Sequence, residues 1–388
     1  MNRKIRMGMV GGGTDAFIGA IHRLAAFMDN QIELVCGCFS VNPDISLASG
    51  KSYFLPDNRV YKTYQELFEQ EAKLPEGERM DFVSIVTPNF VHFGPAMMAL
   101  DHGFHVVIDK PITFTLDEAL QLKKKLDETG LTLALTHTYS GYPAVKEAKA
   151  RVARGDFGKI RRIYVEYPQG WLASKVEDAG NAQASWRTDP KRSGKAGCMG
   201  DIGTHANHLA EYISGLKVTE ICAELNTFVP GRLLDDDGAA LLRYDNGARG
   251  VLVATQIAAG EENALKIRMY GEKGGLEWSQ HEPNTLWLKW TDRPTEMLRV
   301  GTGYTGSTAV HNTRTPGGHP EGYLEAFANI YRNFSLTLRA KMNKQAPSPE
   351  MLDFPGIEDG IRGMMFIDAV VEAGYNDSVK WVKFNSLV

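Results

Sequence analysis

Three side chains in this sequence are of types that can take part in proton transfer: Lys110, Asp201 and His205. An ordinary imidazole has a pKa of about 6.5, so His205 could accept a proton near neutral pH. Asp201 stands four residues earlier. If one helix includes both residues, their side chains share a face and the carboxylate can orient the ring. Lys110 precedes Pro111 at the end of a predicted strand, where an ammonium can stabilise a developing negative charge.

Length and composition limit the setting of these residues. A chain of 388 residues with 43% hydrophobic content is too long for one ordinary core, which predicts two domains, 1–139 and 140–388. The net charge of -4, with basic residues interspersed among acids, argues against a nucleic-acid groove. No apolar stretch approaches the roughly 20 residues that span a bilayer, and the N-terminus does not read as a secretory signal. The four cysteines form neither a metal spacing nor a disulfide framework, so we expect a cytoplasmic protein.

The first 139 residues alternate short apolar runs with helical patterns, which is typical of a parallel sheet wrapped by helices. We therefore predict a doubly wound Rossmann domain. Capping boxes at Thr63 and Thr115 and glycines at 103 and 130 mark helix ends. The predicted strands are 5–10, 32–39, 82–86, 105–108 and 132–136.

The pattern changes after residue 160, where longer strands alternate in polarity and turn signals at 245–247 and 271–275 join them. This predicts an α+β domain with a large, mainly antiparallel, open-faced sheet. Helical patterns at 323–339 and 357–373 cover that sheet or reach back to the first domain. The segment 170–200 shows little periodicity, and a loop of that length is usually either functional or disordered.

A glycine-rich turn between the first strand and the first helix predicts a dinucleotide site. Gly11 and Gly13 let the backbone approach a pyrophosphate at the helix N-terminus, although Gly19 arrives later than in G-x-G-x-x-G. The alternative is a glycine-rich loop without a ligand. The second strand ends without the acid that grips the NAD ribose, and Ser40 and Asn42 could donate to a 2′-phosphate, so both NAD and NADP stay open.

Three further segments complete a family resemblance. They are TPNFVH (87–92), DKP (109–111) and GDIGTHANH (200–208), each weak alone but fairly specific in this order and spacing. With them the chain resembles the Gfo/Idh/MocA family of NAD(P)-dependent oxidoreductases, which act on sugars and inositols, along nearly its whole length. It departs from the family in the stretched glycine turn, in Asp109 where glutamate is usual, and in the missing ribose acid.

The resemblance implies hydride transfer between NAD(P) and a secondary hydroxyl of a sugar, cyclitol or sugar derivative. In that reaction His205 is the general base, Asp201 orients it, and Lys110 stabilises the alkoxide. The expected cofactor contacts are Gly11, Gly13, Phe17, Ile18, Ser40, Thr87, Pro88, Asn89, His92, Asp109 and Lys110. The expected substrate contacts are Tyr167, Trp171, Trp186, Arg187 and His208.

Plainer interpretations stand beside each assignment. Lys110 could be a solvated strand-end lysine, and His205 could simply pack a helix. Zinc would suit Asp201, His205 and His208, but hydride transfer needs no metal, so we expect none. His22, His102 and His281 are interpreted as structural or exposed.

Two alternative functions remain at this stage: an NAD-dependent glycoside hydrolase working by transient oxidation, and a cofactor-binding sensor without catalysis. The resemblance also implies a homodimer or homotetramer formed through the open sheet face.

Overall fold

We describe a computed structural model of the chain, covering residues 3–14, 16–376, 378 and 380–384. The chain divides into two compact units, Met1–Gly141 with Tyr323–Ile361, and Tyr142–Gly322 with Arg362–Val388. The segment 323–361 thus groups with the first unit, which is one of the two placements that the sequence left open for the helical pattern 323–339.

The first unit contains a five-stranded parallel sheet, which confirms the predicted Rossmann class. Its strands are β1 (Ile5–Gly11), β2 (Ile32–Cys38), β3 (Phe82–Val86), β4 (His105–Ile108) and β5 (Leu133–Leu135). Its helices up to residue 141 are α1 (Phe17–Phe27), α2 (Pro43–Ser52), α3 (Tyr64–Glu71), α4 (Phe93–Asp101) and α5 (Leu116–Thr129). In the strand order β2-β1-β3-β4-β5, β2 lies on one side of β1 and the later strands lie on the other side. Open α/β sheets bind ligands at the point where the order changes sides in this way.

Local signals in the sequence set several helix ends in this unit. Thr115 and Glu118 form a complete capping box at the start of α5. At α3 the Thr63 side chain accepts the Glu66 amide, while the Glu66 carboxylate accepts the Lys62 amide instead. Gly130 ends α5 in the left-handed conformation, with φ of 64°.

The second unit contains a nine-stranded, mainly antiparallel sheet, as predicted. The strands between residues 142 and 322 are β6 (Arg162–Pro168), β7 (Val218–Asn226), β8 (Asp237–Tyr244), β9 (Arg249–Thr255), β10 (Lys266–Tyr270), β11 (Gly274–Ser279), β12 (Thr285–Trp290) and β13 (Glu296–Arg299). The helices are α6 (Pro143–Ala153), α7 (Ala182–Arg187), α8 (Pro190–Ser193), α9 (Thr204–Ser214) and α10 (Ser307–His311). Strands β6 and β9 are parallel neighbours, so their carboxyl ends meet at one edge.

The C-terminal part adds two helices and a short strand: α11 (Tyr323–Met342), α12 (Ile357–Gly374) and β14 (Val382–Lys383), which pairs with β7. Helix α11 places Phe327, Ile330 and Phe334 in one buried cluster with apolar side chains of β1 and β3. This apolar burial explains why 323–361 belongs to the first unit. No helix in the part of the chain that the structure describes is long and apolar enough to cross a membrane.

Candidate active site

The glycine turn of the first unit is a tight backbone crossing. Gly11 and Gly12 have φ of 81° and 70°, a region that disfavours side chains. A Cβ added to Gly19 would lie 2.3 Å from the Gly12 Cα, so the first turn of α1 needs a glycine there. Gly13 contributes its carbonyl oxygen, which accepts the Ala16 amide at 3.0 Å. The sequence interpretation emphasised Gly11 and Gly13 and missed Gly12, the residue against which Gly19 packs.

One side chain of α1 and one directly after α2 hold the carbonyl group of Gly12. Arg23 donates to it at 2.7 Å and the Tyr53 hydroxyl at 3.1 Å, with the guanidinium 3.8 Å above the Tyr53 ring. The two predicted contacts that open α1 differ in exposure, because the Phe17 side chain is 67% exposed whereas Ile18 is half-buried. The turn is therefore fixed by the protein itself and suits a pyrophosphate at the start of α1.

The end of β2 carries hydrogen-bonding groups and no carboxylate. Ser40 Oγ accepts the Asn42 amide at 3.1 Å, and Asn42 Oδ1 caps α2 by accepting the Asp44 amide at 2.9 Å. Val41 between them has a fully exposed side chain. Ser40 therefore lies beside the start of a capped helix, and its contact with the cofactor stays a prediction.

The segment after β3 is tied to the segment after β4 by His92. Its Nδ1 lies 2.9 Å from the Pro111 carbonyl oxygen and its Nε2 2.8 Å from the Thr87 carbonyl oxygen. Burial lowers the pKa of His92, although the Asp109 charge opposes that effect. Pro88 precedes the helical turn Asn89–Val91, whose first residue is buried. The structure thus places Thr87, Pro88, Asn89 and His92 beside the Asp109–Pro111 segment.

Lys110 follows β4, and its peptide bond to Pro111 is cis. The carboxylate before it is heavily engaged: Asp109 Oδ1 accepts the Lys110 amide at 2.9 Å and the Thr136 hydroxyl at 2.6 Å. Burial by itself raises the pKa of the Asp109 carboxyl. The facing His22 imidazole, the Thr136 hydroxyl and the Lys110 charge more than offset burial, so this pKa lies below its ordinary value. Asp109 is therefore an ionised anchor for the backbone that carries Lys110.

Asp201 lies in a π-helical turn, Met199–Gly203, and the α-helix with His205 begins only at Thr204. The sequence interpretation made the shared face of these two side chains conditional on one helix that includes both residues. Asp201 Oδ2 accepts hydrogen bonds from Arg187 Nε at 3.1 Å and from Gln256 Nε2 at 2.9 Å. Single π-turns inside helices often occur at functional sites, and this one places the carboxylate where two donors meet it.

Two neighbouring strand ends extend this arrangement into a network of carboxamides. Gln256 follows β9 and lies 3.4 Å from Gln169, which follows the parallel strand β6. Gln169 accepts the Trp171 indole N–H at 3.0 Å and donates to Asn263 at 2.6 Å. Asn263 also accepts the Tyr167 hydroxyl at 2.7 Å. The predicted substrate residues Tyr167 and Trp171 are therefore linked through Asn263 and Gln169, and Gln256 joins this network to Asp201. The sequence interpretation missed all three carboxamides.

A second carboxylate holds the backbone that leads into the π-turn. Both oxygens of Asp235 accept backbone amides, from Gly197 and from Met199, each at 2.7 Å. Burial raises the pKa of Asp235, while these hydrogen bonds pull it the other way. A Cβ on Gly197 would lie 2.2 Å from the Asp235 carbonyl oxygen, so the close approach requires glycine.

The other predicted substrate residues flank Asp201 and His205. The Arg187 guanidinium lies 4.2 Å from the Trp186 ring and 5.8 Å from the Trp171 ring. His205 is 8% exposed and meets the Tyr167 ring edge-on at 6.5 Å. His208, one turn later, stacks on Tyr212 at 5.7 Å.

The structure therefore assembles two half-sites, each within its own unit. Lys110 and the glycine turn belong to the first unit, whereas Asp201, His205 and the carboxamide network belong to the second. Among the residues that the structure describes, no three His, Cys, Asp or Glu side chains are grouped as metal ligands.

One physical reason explains why the sequence interpretation missed Gln169 and Gln256. Gln169 and Gln256 each directly follow a strand, but only the parallel pairing of β6 with β9 makes them neighbours, and the alternation of polarity does not report strand partners. Their position just past strand ends was the available signal. His22, interpreted as structural or exposed, is fully buried and hydrogen-bonded to Tyr331.

Two protein-family models match this chain, one in its N-terminal part and one in its C-terminal part. Residues 5–137 match the model described as oxidoreductase family, NAD-binding Rossmann fold. Residues 145–277 match the GFO/IDH/MocA C-terminal domain.

Individual proteins match over almost the whole chain. It is 31% identical to the uncharacterized oxidoreductase YfiI of Bacillus subtilis, over 99% of this chain and 98% of that protein. It is 42% identical to an oxidoreductase from Sinorhizobium meliloti whose crystal structure has a TM-score of 0.88, over 98% and 100% of the two chains. It is 32% identical to an inositol dehydrogenase homolog from Azotobacter vinelandii, crystallised with NADH and myo-inositol, with a TM-score of 0.90 over 99% and 98%.

Proposed function

The chain belongs to the GFO/IDH/MocA family of NAD-binding oxidoreductases, and we propose that it transfers a hydride between NAD and a secondary hydroxyl of a cyclitol or sugar. The observation that carries the proposal is the fixed carboxylate of Asp201 at the head of the helix with His205. Arg187 and Gln256 both donate to it, so its position is set before any substrate binds.

The cofactor site fits a dinucleotide. Gly11, Gly12 and Gly19 keep side chains away from the turn, and the amide end of α1 favours a pyrophosphate. Bound NAD supplies the hydride acceptor, which no protein side chain can provide.

The chain's own residues manage the proton. In our proposal His205 takes the hydroxyl proton while Asp201 orients the ring and stabilises its charge. Lys110 donates a hydrogen bond to the same oxygen and stabilises its developing negative charge. This assignment requires Lys110 of the first unit and His205 of the second to act on one hydroxyl.

The second-unit half-site favours an uncharged polyol. Arg187 is paired with Asp201, so the pair adds no net positive charge to attract an anionic substrate. Gln169 and Asn263 present amide donors and acceptors beside the Trp171 ring. Carboxamides next to an aromatic face suit a ring with hydroxyls at its rim and C–H groups on its face. Since a similar protein was crystallised with myo-inositol, that cyclitol is the first substrate to test.

We further propose assembly through the open face of the nine-stranded sheet, giving a homodimer or homotetramer. Leu241, Trp287 and Met297 on that sheet are 47%, 38% and 53% exposed. Trp287 and Met297 are directly opposite each other on β12 and β13, and neighbouring exposed apolar side chains are typical of an interface. Multi-angle light scattering of the purified chain tests this, and a monomer would contradict it.

The reaction is tested with purified protein, NAD+ or NADP+, and a panel of myo-inositol, other cyclitols, aldoses and keto-sugars, by following absorbance of the reduced nicotinamide. We expect turnover with NAD+ and at least one polyol. The variants Lys110→Met and His205→Asn are expected to lose about 100-fold or more in kcat/KM. The matched controls Lys124→Met and His281→Asn replace exposed residues and are expected to keep wild-type rates.

The outcomes separate the alternatives. Glycosidic cleavage without net cofactor change would favour a hydrolase that oxidises its substrate transiently. Tight cofactor binding without turnover of any polyol or keto-sugar would favour a sensor.

A further inference from the structure

A histidine outside the proposed catalytic set lies at the centre of the first unit. His22 on α1 is fully buried, and its ring meets Phe327 and Tyr331 edge-on at 4.7 Å and 5.9 Å. Its Nδ1 lies 2.7 Å from the Tyr331 hydroxyl oxygen. The packing and this hydrogen bond leave the ring in one orientation.

That orientation aims the other ring nitrogen at the segment before Lys110. His22 Nε2 lies 3.9 Å from Asp109 Oδ2 and makes no hydrogen bond within the described residues. A buried ring nitrogen that faces a carboxylate is best satisfied as N–H, because a lone pair there would repel the anion. The imidazole therefore presents a donor to Asp109.

The hydroxyl groups of Tyr331 and Ser84 let His22 keep the N–H on Nε2 whether its ring is neutral or charged. Ser84 Oγ lies 2.7 Å from the Tyr331 hydroxyl and 3.4 Å from His22 Nδ1. When the ring is neutral, Tyr331 donates to Nδ1. When it is charged, Nδ1 donates to Tyr331 and the tyrosine donates to Ser84. His22 can thus keep its N–H toward Asp109 in both states.

Asp109 passes this constraint to Lys110, because its other oxygen accepts the Lys110 amide at 2.9 Å. We propose that His22 is a positioning residue for Lys110 and acts through Asp109, linking the helix of the glycine turn to the backbone of the lysine. This inference rests on the proposed role of Lys110 in hydride transfer. The other ionisable groups that face Asp109 are His92, Tyr323 and Tyr331.

The first experiment measures Lys110 itself, independently of turnover. The rate of trinitrobenzenesulfonate labelling of Lys110 at pH 9 is followed by peptide mass spectrometry in the wild type, His22→Asn and His22→Gln. Asparagine can keep a hydrogen bond to Tyr331 but does not reach Asp109, whereas glutamine extends an amide toward Asp109. Without the N–H of His22, the Asp109 charge favours the ammonium form of Lys110. We therefore expect Lys110 to be labelled about threefold more slowly in His22→Asn than in the wild type, and at close to the wild-type rate in His22→Gln.

The second experiment measures kinetics over a pH series with the polyol substrate. We expect His22→Asn to lose about tenfold in kcat, with its pH optimum moved upward and the NAD+ Kd changed less than about twofold. His102→Gln, which replaces a partly buried histidine at the end of α4, serves as the control. If His22→Asn does not fold, the turnover and pH dependence of His22→Gln and Tyr331→Phe are compared with those of the wild type instead.

The results distinguish this inference from the proposed function. Loss of turnover in Lys110→Met together with wild-type labelling and pH dependence in His22→Asn would overturn the positioning role and leave the proposed function standing. Retained turnover in Lys110→Met would overturn both. Slowed labelling and turnover in His22→Asn, restored by glutamine, support the inference.

Discussion

Removing the carboxamide that Gln256 donates to Asp201 tests how the proposed catalytic carboxylate is held. Gln256 is 2% exposed, and its Nε2 lies 2.9 Å from Asp201 Oδ2. A hydrogen bond to a charged group is worth about 1.5–3 kcal/mol, so Gln256→Leu should lower kcat/KM by about 10-fold to 150-fold if Asp201 orients His205. Arg187 still donates to Asp201 in this variant, so the loss should fall short of that in Asp201→Asn.

Gln256→Glu gives the sharper result, because it keeps the side-chain shape and places a second carboxylate beside Asp201. Two adjacent carboxylates raise the apparent pKa of the pair, so the acidic limb of the kcat/KM profile should move to higher pH. Gln280→Leu, which removes a half-buried carboxamide just after β11, is the control. The reasoning is refuted if Gln256→Leu keeps wild-type kcat/KM and Gln256→Glu keeps the wild-type acidic limb.

Three further predictions concern the parts that hold the half-sites. Gly19→Ala forces a methyl group against the Gly12 Cα, at 2.3 Å, so calorimetry should show at least about tenfold weaker NAD+ binding, and unchanged affinity would contradict the tight crossing. Burial, with help from the Lys341 charge, lowers the pKa of His105 to about 4, so stability present above pH 6.5 should be lost as pH falls toward 4. After discounting for partial exposure the loss is about 1–2 kcal/mol, and urea titrations across that range should show it in the wild type but not in His105→Gln. Asp235→Asn places an amide donor against the backbone N–H groups that Asp235 accepts. In urea titration this change should lower the free energy of unfolding by about 1–3 kcal/mol, and an unchanged midpoint would count against the anchoring role of Asp235.

The sequence predicted elements whose pattern is local. The strand 82–86 was predicted with its observed bounds, because four apolar residues and Ser84 form a short, mostly apolar run between polar segments. Gly19 was recognised from its local position as the late third glycine of the turn, and in the structure it packs against Gly12. The complete capping box of α5 was visible in the same way.

Features that depend on distant partners could not be predicted. The spacing of Asp201 and His205 is the same in a π-turn and in an α-helix, so the pattern could not reveal where the regular helix begins. Helix α11 has an ordinary amphipathic pattern, and nothing in that pattern says that its apolar face covers β1. His22 looked unremarkable for the same reason, because Tyr331 and Asp109 are far from it along the chain.

The account depends most on Lys110 and His205 acting on the same hydroxyl, and a crystal structure of the chain with NADH and a polyol identified by the substrate panel tests this most directly. We expect Lys110 Nζ and a ring nitrogen of His205 each to lie about 2.6–3.2 Å from one substrate oxygen. A bound polyol whose reacting oxygen contacts only one of these two side chains, with the other turned away from the nicotinamide, would contradict the account.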